Sequence, residues 1–330
     1  VQPMKTSAQV VVIGGGVVGA SVLYHLTRNG WTDVVLLERT ELTAGSTWHS
    51  AGGMHTLNGD PNVAKLQQYT IELYKEIEAI SGQDCGIHIT GGVMLADTPE
   101  RMDWLRAAHA KGRYLGMETE LISVAEAKEI HPIFEQKYFV GAMWDAHEGH
   151  VDPSGVTHAY AKAARQAGAE VYRDTWARAI TRAADGGWNI QTIQTSTGDD
   201  TEVIHCDHVV NAGGLWAREV GRMVGLETPL LAMAHQYILT EDLPHVAEIN
   251  ASTGKEVLHA IDFGGEIYMR QEGGGLLLGT YEHNGIPWSP KETPWDFGMQ
   301  LLGPDLEHLA PQLEIGFEHF PIFAEAGIRQ

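Results

Sequence analysis

Apolar residues open this chain in unbroken runs. Residues 9–13 read Gln-Val-Val-Val-Ile and residues 33–38 read Asp-Val-Val-Leu-Leu-Glu, with no polar alternation. A strand with one wet face alternates, so these runs predict strands buried on both faces, as in a parallel sheet covered by helices. Between them, 14–19 predict a turn and 17–28 a helix, closed by Asn29-Gly30. Strand, helix and strand make a right-handed βαβ unit. Val63, Leu66, Leu73, Ile77 and Ile80 keep to one face of a predicted helix over 61–80. A strand over 87–96 with Gly91-Gly92 inside it follows, then a helix over 99–115. Ser123 and Glu126 make a capping box for a short helix that stops at His131-Pro132. Residues 138–144 predict a strand, 145–153 a loop and 154–167 a helix. Strands are expected at 169–172, 188–192 and 208–211, and a helix from 215 to 225. After Pro229 the pattern turns β-rich, with strands at 235–240, 256–261, 267–271 and 276–279, before a helix over 296–309. No repeat or low-complexity linker divides the chain. The expected architecture is α/β: a Rossmann-like domain from 1–80 and 145–225, interleaved with a β-rich domain from 81–144 and 226–330.

Composition narrows the function classes. The 330 residues are 43% hydrophobic and 20% charged, ample for two cores. Lys plus Arg number 22 against 43 Asp plus Glu, a net charge of −21 that argues against nucleic acid and anionic membrane surfaces as partners. No apolar run is long enough to span a bilayer, and no secretory signal is visible. Val1 stands where a start Met is expected, so the natural N-terminus is expected upstream. Two cysteines, Cys85 and Cys206, cannot build a disulfide framework.

The turn carries the first chemistry. Gly14-Gly15-Gly16-Val17-Val18-Gly19 fits G-x-G-x-x-G. Gly14 makes the tight turn, Gly16 lets a pyrophosphate approach the backbone, and Gly19 lets helix and strand pack closely. The helix N-terminus then offers unpaired N–H groups to phosphates. Glu38, closing the next strand, is placed to accept the ribose hydroxyls, and its charge disfavours a 2′-phosphate. A dinucleotide other than NADP is therefore expected. Regular α/β repeats would favour NAD. Instead, the small-residue segment Gly45 to Gly53 interrupts the pattern, with hydroxyls and close backbone approach suited to the pyrophosphate and ribityl chain of FAD.

That segment also carries a resemblance. The run Glu41-Leu42-Thr43-Ala44-Gly45-Ser46-Thr47-Trp48-His49-Ser50-Ala51-Gly52 resembles the flavin-attachment segment of the dimethylglycine and sarcosine dehydrogenases, FAD-dependent amine oxidoreductases of the D-amino acid oxidase fold. The likeness extends over nearly the whole chain. It includes Gly149-His150-Val151-Asp152-Pro153, Val210-Asn211-Ala212-Gly213-Gly214-Leu215-Trp216-Ala217, His235-Gln236-Tyr237 and Ile267-Tyr268-Met269-Arg270-Gln271. The resemblance implies oxidative N-demethylation of a small N-methyl amino acid, with hydride passing from the methyl carbon to flavin. It implies that FAD is bonded through His49, whose neutral imidazole is a competent nucleophile. It places Val17 and Val18 at the pyrophosphate, Glu38 and Arg39 at the adenosine ribose, and Ala177 at the adenine. Gly45, Ser46, Thr47, Trp48, His49, Ser50, Ala51, Gly52 and Gly53 then run along ribityl and flavin, and Gly213 and Trp216 form a second FAD-contacting turn.

His235 and Tyr268 match the active-site His and Tyr of the resembled family. Such chemistry needs an uncharged amine and donors for a carboxylate, roles His235 and Tyr268 can fill. Arg270 shares a strand face with Tyr268, to hold a carboxylate or to serve as a structural ion pair. Asp145, His147, Glu148, His150 and Asp152 crowd within eight residues, yet are read as a loop and helix start rather than a metal site. The resemblance further implies a flavin-closing strand, and often a folate-binding half, which these residues do not include. The chain is thus expected to be part of a larger protein or to work with another chain, with free formaldehyde or an imine as product if the folate half is absent. The electron acceptor is expected to be an electron-transfer flavoprotein or oxygen. The expected location is bacterial cytoplasm, with the mitochondrial matrix as alternative. Two other readings stay open: the same fold acting on another amine, amino acid or hydroxy acid, and a non-catalytic regulatory homologue.

Overall fold

The structure, a computed structural model, describes residues 3–56, 58 and 60–330; Val1 lies outside them. A six-stranded sheet runs in the order Glu170–Tyr172, Val34–Leu37, Ser7–Ile13, Asp200–Asn211, Trp188–Gln194 and Thr175–Arg182. Its first four strands are parallel and its last two antiparallel. The unbroken apolar runs follow from cover on both sides. Val10, Val12, Val34 and Leu36 face the helices Val17–Arg28, Pro61–Ser81 and Pro153–Gln166. Val11, Ile13, Val35 and Leu37 face Ile180, Ile190 and Ile204. Ile13 pairs with both Leu37 and Asn211, so three parallel strands end side by side. The chain leaves the central strand for one neighbour and reaches the other only after residue 200, the switch point where α/β sheets open a crevice.

A seven-stranded sheet makes the second layer, in the order Tyr237–Leu239, Gly275–Thr280, Ile267–Glu272, His259–Asp262, Gly92–Ala96, Gly141–Asp145 and Thr119–Ile122. Its own core gathers Val93, Leu95, Ala142, Ile238, Ala260, Met269 and Leu278 under the helix Leu306–His319. No helix among the described residues is long and apolar enough to cross a membrane.

Several sequence expectations are corrected. The strand over 87–96 reduces to Gly92–Ala96, because Gly91 takes φ +77° with the Trp144 ring filling its Cβ position. His88 makes only an isolated bridge to His150. The strand over 138–144 starts at Gly141, after a 3-10 turn at Gln136–Tyr138. The helix expected over 296–309 lies instead at Leu306–His319, since Gly303 and Pro304 bar an earlier start and Asp305 caps it by accepting from the His308 N–H. The strand Thr175–Arg182 and the helix Pro244–Thr253 were not expected. Pattern reading missed the strand because Arg178, Thr181 and Arg182 leave it little apolar signal.

Candidate active site

The glycine turn closes the central strand, and packing sets its composition. Gly14 has φ +113°, and a Cβ there would lie 2.3 Å from the Ala212 carbonyl oxygen. A Cβ on Gly19 would lie 1.9 Å from the Gly14 carbonyl oxygen, so the helix meets the turn backbone to backbone. Glu38 follows the neighbouring strand, and its carboxylate accepts from Gly15 N–H at 2.7 Å and Thr40 N–H at 2.8 Å. Burial raises its pKa, opposed by those two N–H donors. Thr47 Oγ1 accepts from Val17 N–H at 3.1 Å, tying the small-residue segment to the helix start.

These elements enclose a cleft of about 440 Å³. Gly14, Gly16, Val17, Val18, Glu38, Arg39, Gly45, Ser46, Thr47, Ser50, Ala177, Gly213 and Trp216 all line it. Gly19 stands behind the wall as the packing glycine. Arg39 reaches over the Trp216 ring at 4.6 Å and donates to the carbonyls of Trp295 and Phe297, so its fork is engaged within the chain. Sequence reasoning missed Trp176 and Trp295, whose rings meet at 4.9 Å along the same cleft. Trp176 adjoins the predicted Ala177; Trp295 sits in a Pro-flanked loop with no periodic signal.

A second cavity, of about 260 Å³, lies between the small-residue segment and the seven-stranded sheet. His49, Ser50, Ala51, Gly52, Gly53, His235, Tyr268 and Arg270 line it, joined by Tyr237 of the His235-Gln236-Tyr237 segment and by His55, His259 and Tyr281, which the sequence did not single out. Ser50 borders both spaces, so the predicted cofactor and substrate residues form one continuous wall. Trp48 lines neither; its ring packs on His49 at 4.2 Å. The His49 ring nitrogens face the carbonyls of Gly45 at 3.0 Å and Gln300 at 2.7 Å. Arg270 donates to the Ala51 carbonyl at 2.7 Å and to Glu272 at 2.6 Å, anchoring the segment. His235 Nδ1 lies 2.9 Å from Glu282, whose other oxygen accepts from Thr280 at 2.7 Å. The tip of the Tyr268 ring lies over Gly279, where a Cβ would sit 2.0 Å from it. Burial raises the Tyr268 pKa well above the ordinary phenol value, so it remains a hydrogen-bond donor at neutral pH.

The crowded loop divides its residues among different tasks. Asp152 caps the helix Pro153–Gln166 by accepting from Ser154 and Gly155. Asp145 accepts from the His147 N–H at 2.8 Å. Glu148 turns inward, 3.1 Å from His55 Nδ1 and 3.6 Å from His259 Nδ1.

Comparison with known proteins agrees with this geometry. The family described as FAD dependent oxidoreductase (DAO) matches residues 9–330. The chain is 35% identical over 329 residues to mitochondrial dimethylglycine dehydrogenase of Mus musculus, covering 98% of this chain and 37% of that protein. It is 32% identical over 337 residues to human mitochondrial sarcosine dehydrogenase, covering 99% of this chain and 34% of that protein. It thus spans just over a third of the length of these relatives. The crystal structure of L-proline dehydrogenase from P. horikoshii shares the fold, with a TM-score of 0.82 at 24% identity over 99% of this chain and 80% of that one.

Proposed function

The chain belongs to the FAD dependent oxidoreductase family, and from that premise we propose that it binds FAD through its glycine-turn cleft and oxidises the carbon–nitrogen bond of a small N-methyl amino acid. One observation carries the reading: a single wall runs from the Gly14 turn through Ser50 to His49, His235 and Tyr268. The residues fit the group. Gly14, Gly16 and Gly45 leave backbone exposed where a Cβ would strike Ala212, Thr47 and Trp216. Bound there, the flavin supplies the two-electron redox chemistry. The turn N–H groups and the helix N-terminus hold the phosphates, and Glu38 holds the ribose. His49 borders the substrate cavity and is the point of covalent attachment, on releasing its contact with one of the two carbonyls.

This chain's residues orient the amine. Tyr268 keeps its proton and donates to the substrate carboxylate. Glu282 fixes the His235 ring at Nδ1, which leaves Nε2 to take a proton from the amine so that its lone pair is free. The half-buried cavity, small at about 260 Å³, selects a short substrate. The product is the demethylated amine and formaldehyde after hydrolysis, and the acceptor is an electron-transfer flavoprotein or oxygen.

The test is anaerobic mixing of the FAD-loaded chain with dimethylglycine, sarcosine, betaine and unmethylated amino acids, reading the visible flavin band. Bleaching by the N-methyl amino acids ahead of the others supports the reading. Bleaching by none of them, with FAD bound, would overturn the reading and leave the two alternatives, another amine or hydroxy-acid substrate and a non-catalytic homologue. Acid precipitation tests the attachment separately: flavin should stay with the protein pellet and leave it in His49→Ala.

A further inference from the structure

We propose that His55, Glu148 and His259 form a binding site for a divalent cation of the zinc class, set in the wall of the cavity that holds Tyr268. The three residues come from distant segments and turn their ligand atoms on one point, all within 4.8 Å of one another. His55 Nδ1 stands 3.1 Å from one Glu148 oxygen and His259 Nδ1 3.6 Å from the other. A tetrahedral cation with bonds of about 2.0–2.1 Å separates its ligand atoms by about 3.4 Å, a spacing that three atoms within 4.8 Å of one another reach by small side-chain rotations.

Burial makes the arrangement costly without a cation. Glu148 is 0% exposed and His259 2%. Glu148 Oε2 and His259 Nδ1 face each other at 3.6 Å, longer than a good hydrogen bond, and neither has another partner among the described residues. Buried polar atoms are nearly always paired, so this facing pair asks for an occupant. The imidazole rings of His55 and His259 stack at 4.7 Å, both directed at the carboxylate. Gly92 makes room for it, since a Cβ there would lie 2.2 Å from Glu148 Oε2. Two neutral imidazoles and a carboxylate suit a borderline divalent ion, each ring coordinating through Nδ1 with its one proton on Nε2. Three protein ligands leave a fourth position open, and because His55 and His259 line the cavity, that position faces it and takes water or a ligand oxygen.

A neighbouring trio supplies the control. His88, His150 and Glu256 also gather, but His88 is exposed and Glu256 only half-buried, so this trio holds no buried carboxylate. The experiment takes the full chain without an affinity tag, stripped by chelation and titrated with ZnCl2 by calorimetry, with bound metal counted by mass spectrometry. CoCl2 in its place reports the ligand field through its visible absorption. One equivalent of zinc per chain, weakened about 100-fold or more in His55→Ala and in His259→Gln, supports the site; loss of an outer-shell partner alone costs 10–100-fold at about the same scale. His88→Ala should bind as the parent does. No stoichiometric zinc in the parent, full retention in His55→Ala, or equal loss in His88→Ala overturns the proposal. Should His259→Gln fail to fold, His55→Ala decides, because His55 is only half-buried. Neither readout depends on flavin, so failure here leaves the redox reading standing.

Discussion

Gly19→Ala adds one methyl group inside a helix, where alanine ordinarily stabilises by about 1 kcal/mol relative to glycine. The structure predicts the opposite sign. The new Cβ would lie 1.9 Å from the Gly14 carbonyl oxygen, well inside the 3.0 Å below which something must shift. Gly14 cannot yield, because its N–H is bonded to the Leu37 carbonyl at 2.9 Å and the buried central strand leads straight into it. The helix Val17–Arg28 must therefore move out by more than about 1 Å, straining the Val17–Thr47 bond. Overpacking of this kind costs about 1–3 kcal/mol, and a displaced helix belongs at the upper end. At roughly 2.1 cal/mol/K per residue, 330 residues give an unfolding entropy near 0.7 kcal/mol/K, so about 3 kcal/mol lowers Tm by about 4 °C. On the proposed FAD placement, the same movement takes the helix N-terminus away from the phosphates, and about 2–3 kcal/mol of lost binding is a rise of about 100-fold in the FAD Kd. Calorimetry and flavin fluorescence titration read the two effects. Gly30→Ala is the control: its φ of +88° brings strain but nothing among the described residues lies within 4 Å, so it should melt slightly early and bind FAD normally. A Gly19→Ala chain that melts higher than the parent and binds FAD unchanged would refute the close-packing argument.

Acid should unfold the protein by a route that His131 reports. Burial lowers His131 from 6.5 to about 4, so the unfolded chain binds its proton more readily and stability falls as pH drops from about 6.5 towards 4. His150, lowered to about 3 chiefly by burial, acts in the same direction. At pH 5 the His131 share is about 2 kcal/mol; urea unfolding at pH 7 and pH 5 should show a smaller pH difference in His131→Gln, and an unchanged difference would contradict the assignment. Gly279→Ala should leave the fold intact, since the clash meets the end of the Tyr268 side chain, yet displace that ring and cut turnover by about 10–100-fold; full activity would remove Tyr268 from the site. Cys85 and Cys206 are buried thiols pushed up to about 12 and about 11, chiefly by burial, so thiol reagents should label neither until the chain unfolds.

What the sequence disclosed and what it withheld divide along a physical line. Local signals carried the α/β half: the runs Val10-Val11-Val12-Ile13 and Val34-Val35-Leu36-Leu37 have no polar member because helices cover one face and strands the other. The turn between them needs glycine for reasons that a six-residue motif contains, and Glu38 lies one position past its strand. The cavity was half legible. His235, Tyr268 and Arg270 stood out through a likeness between segments, and all three line it. Tyr281 and His259 did not stand out, because what makes them cavity residues is strand pairing: Tyr268 faces Ile261 on one side and Gly279 on the other. Register sets those neighbours, and no local pattern encodes it. The crowded 145–152 loop shows the limit most plainly. Spacing alone makes Asp145, His147, Glu148, His150 and Asp152 look like one site, yet the backbone turns Asp152 to a helix cap and Glu148 to the interior. Glu148 then meets His55 and His259, partners 93 and 111 residues away in the chain. A cluster in sequence is thus a poor guide to a cluster in space when its members alternate in direction. The converse also holds: a buried carboxylate with an unpaired oxygen is visible only once the fold has chosen what stands opposite it.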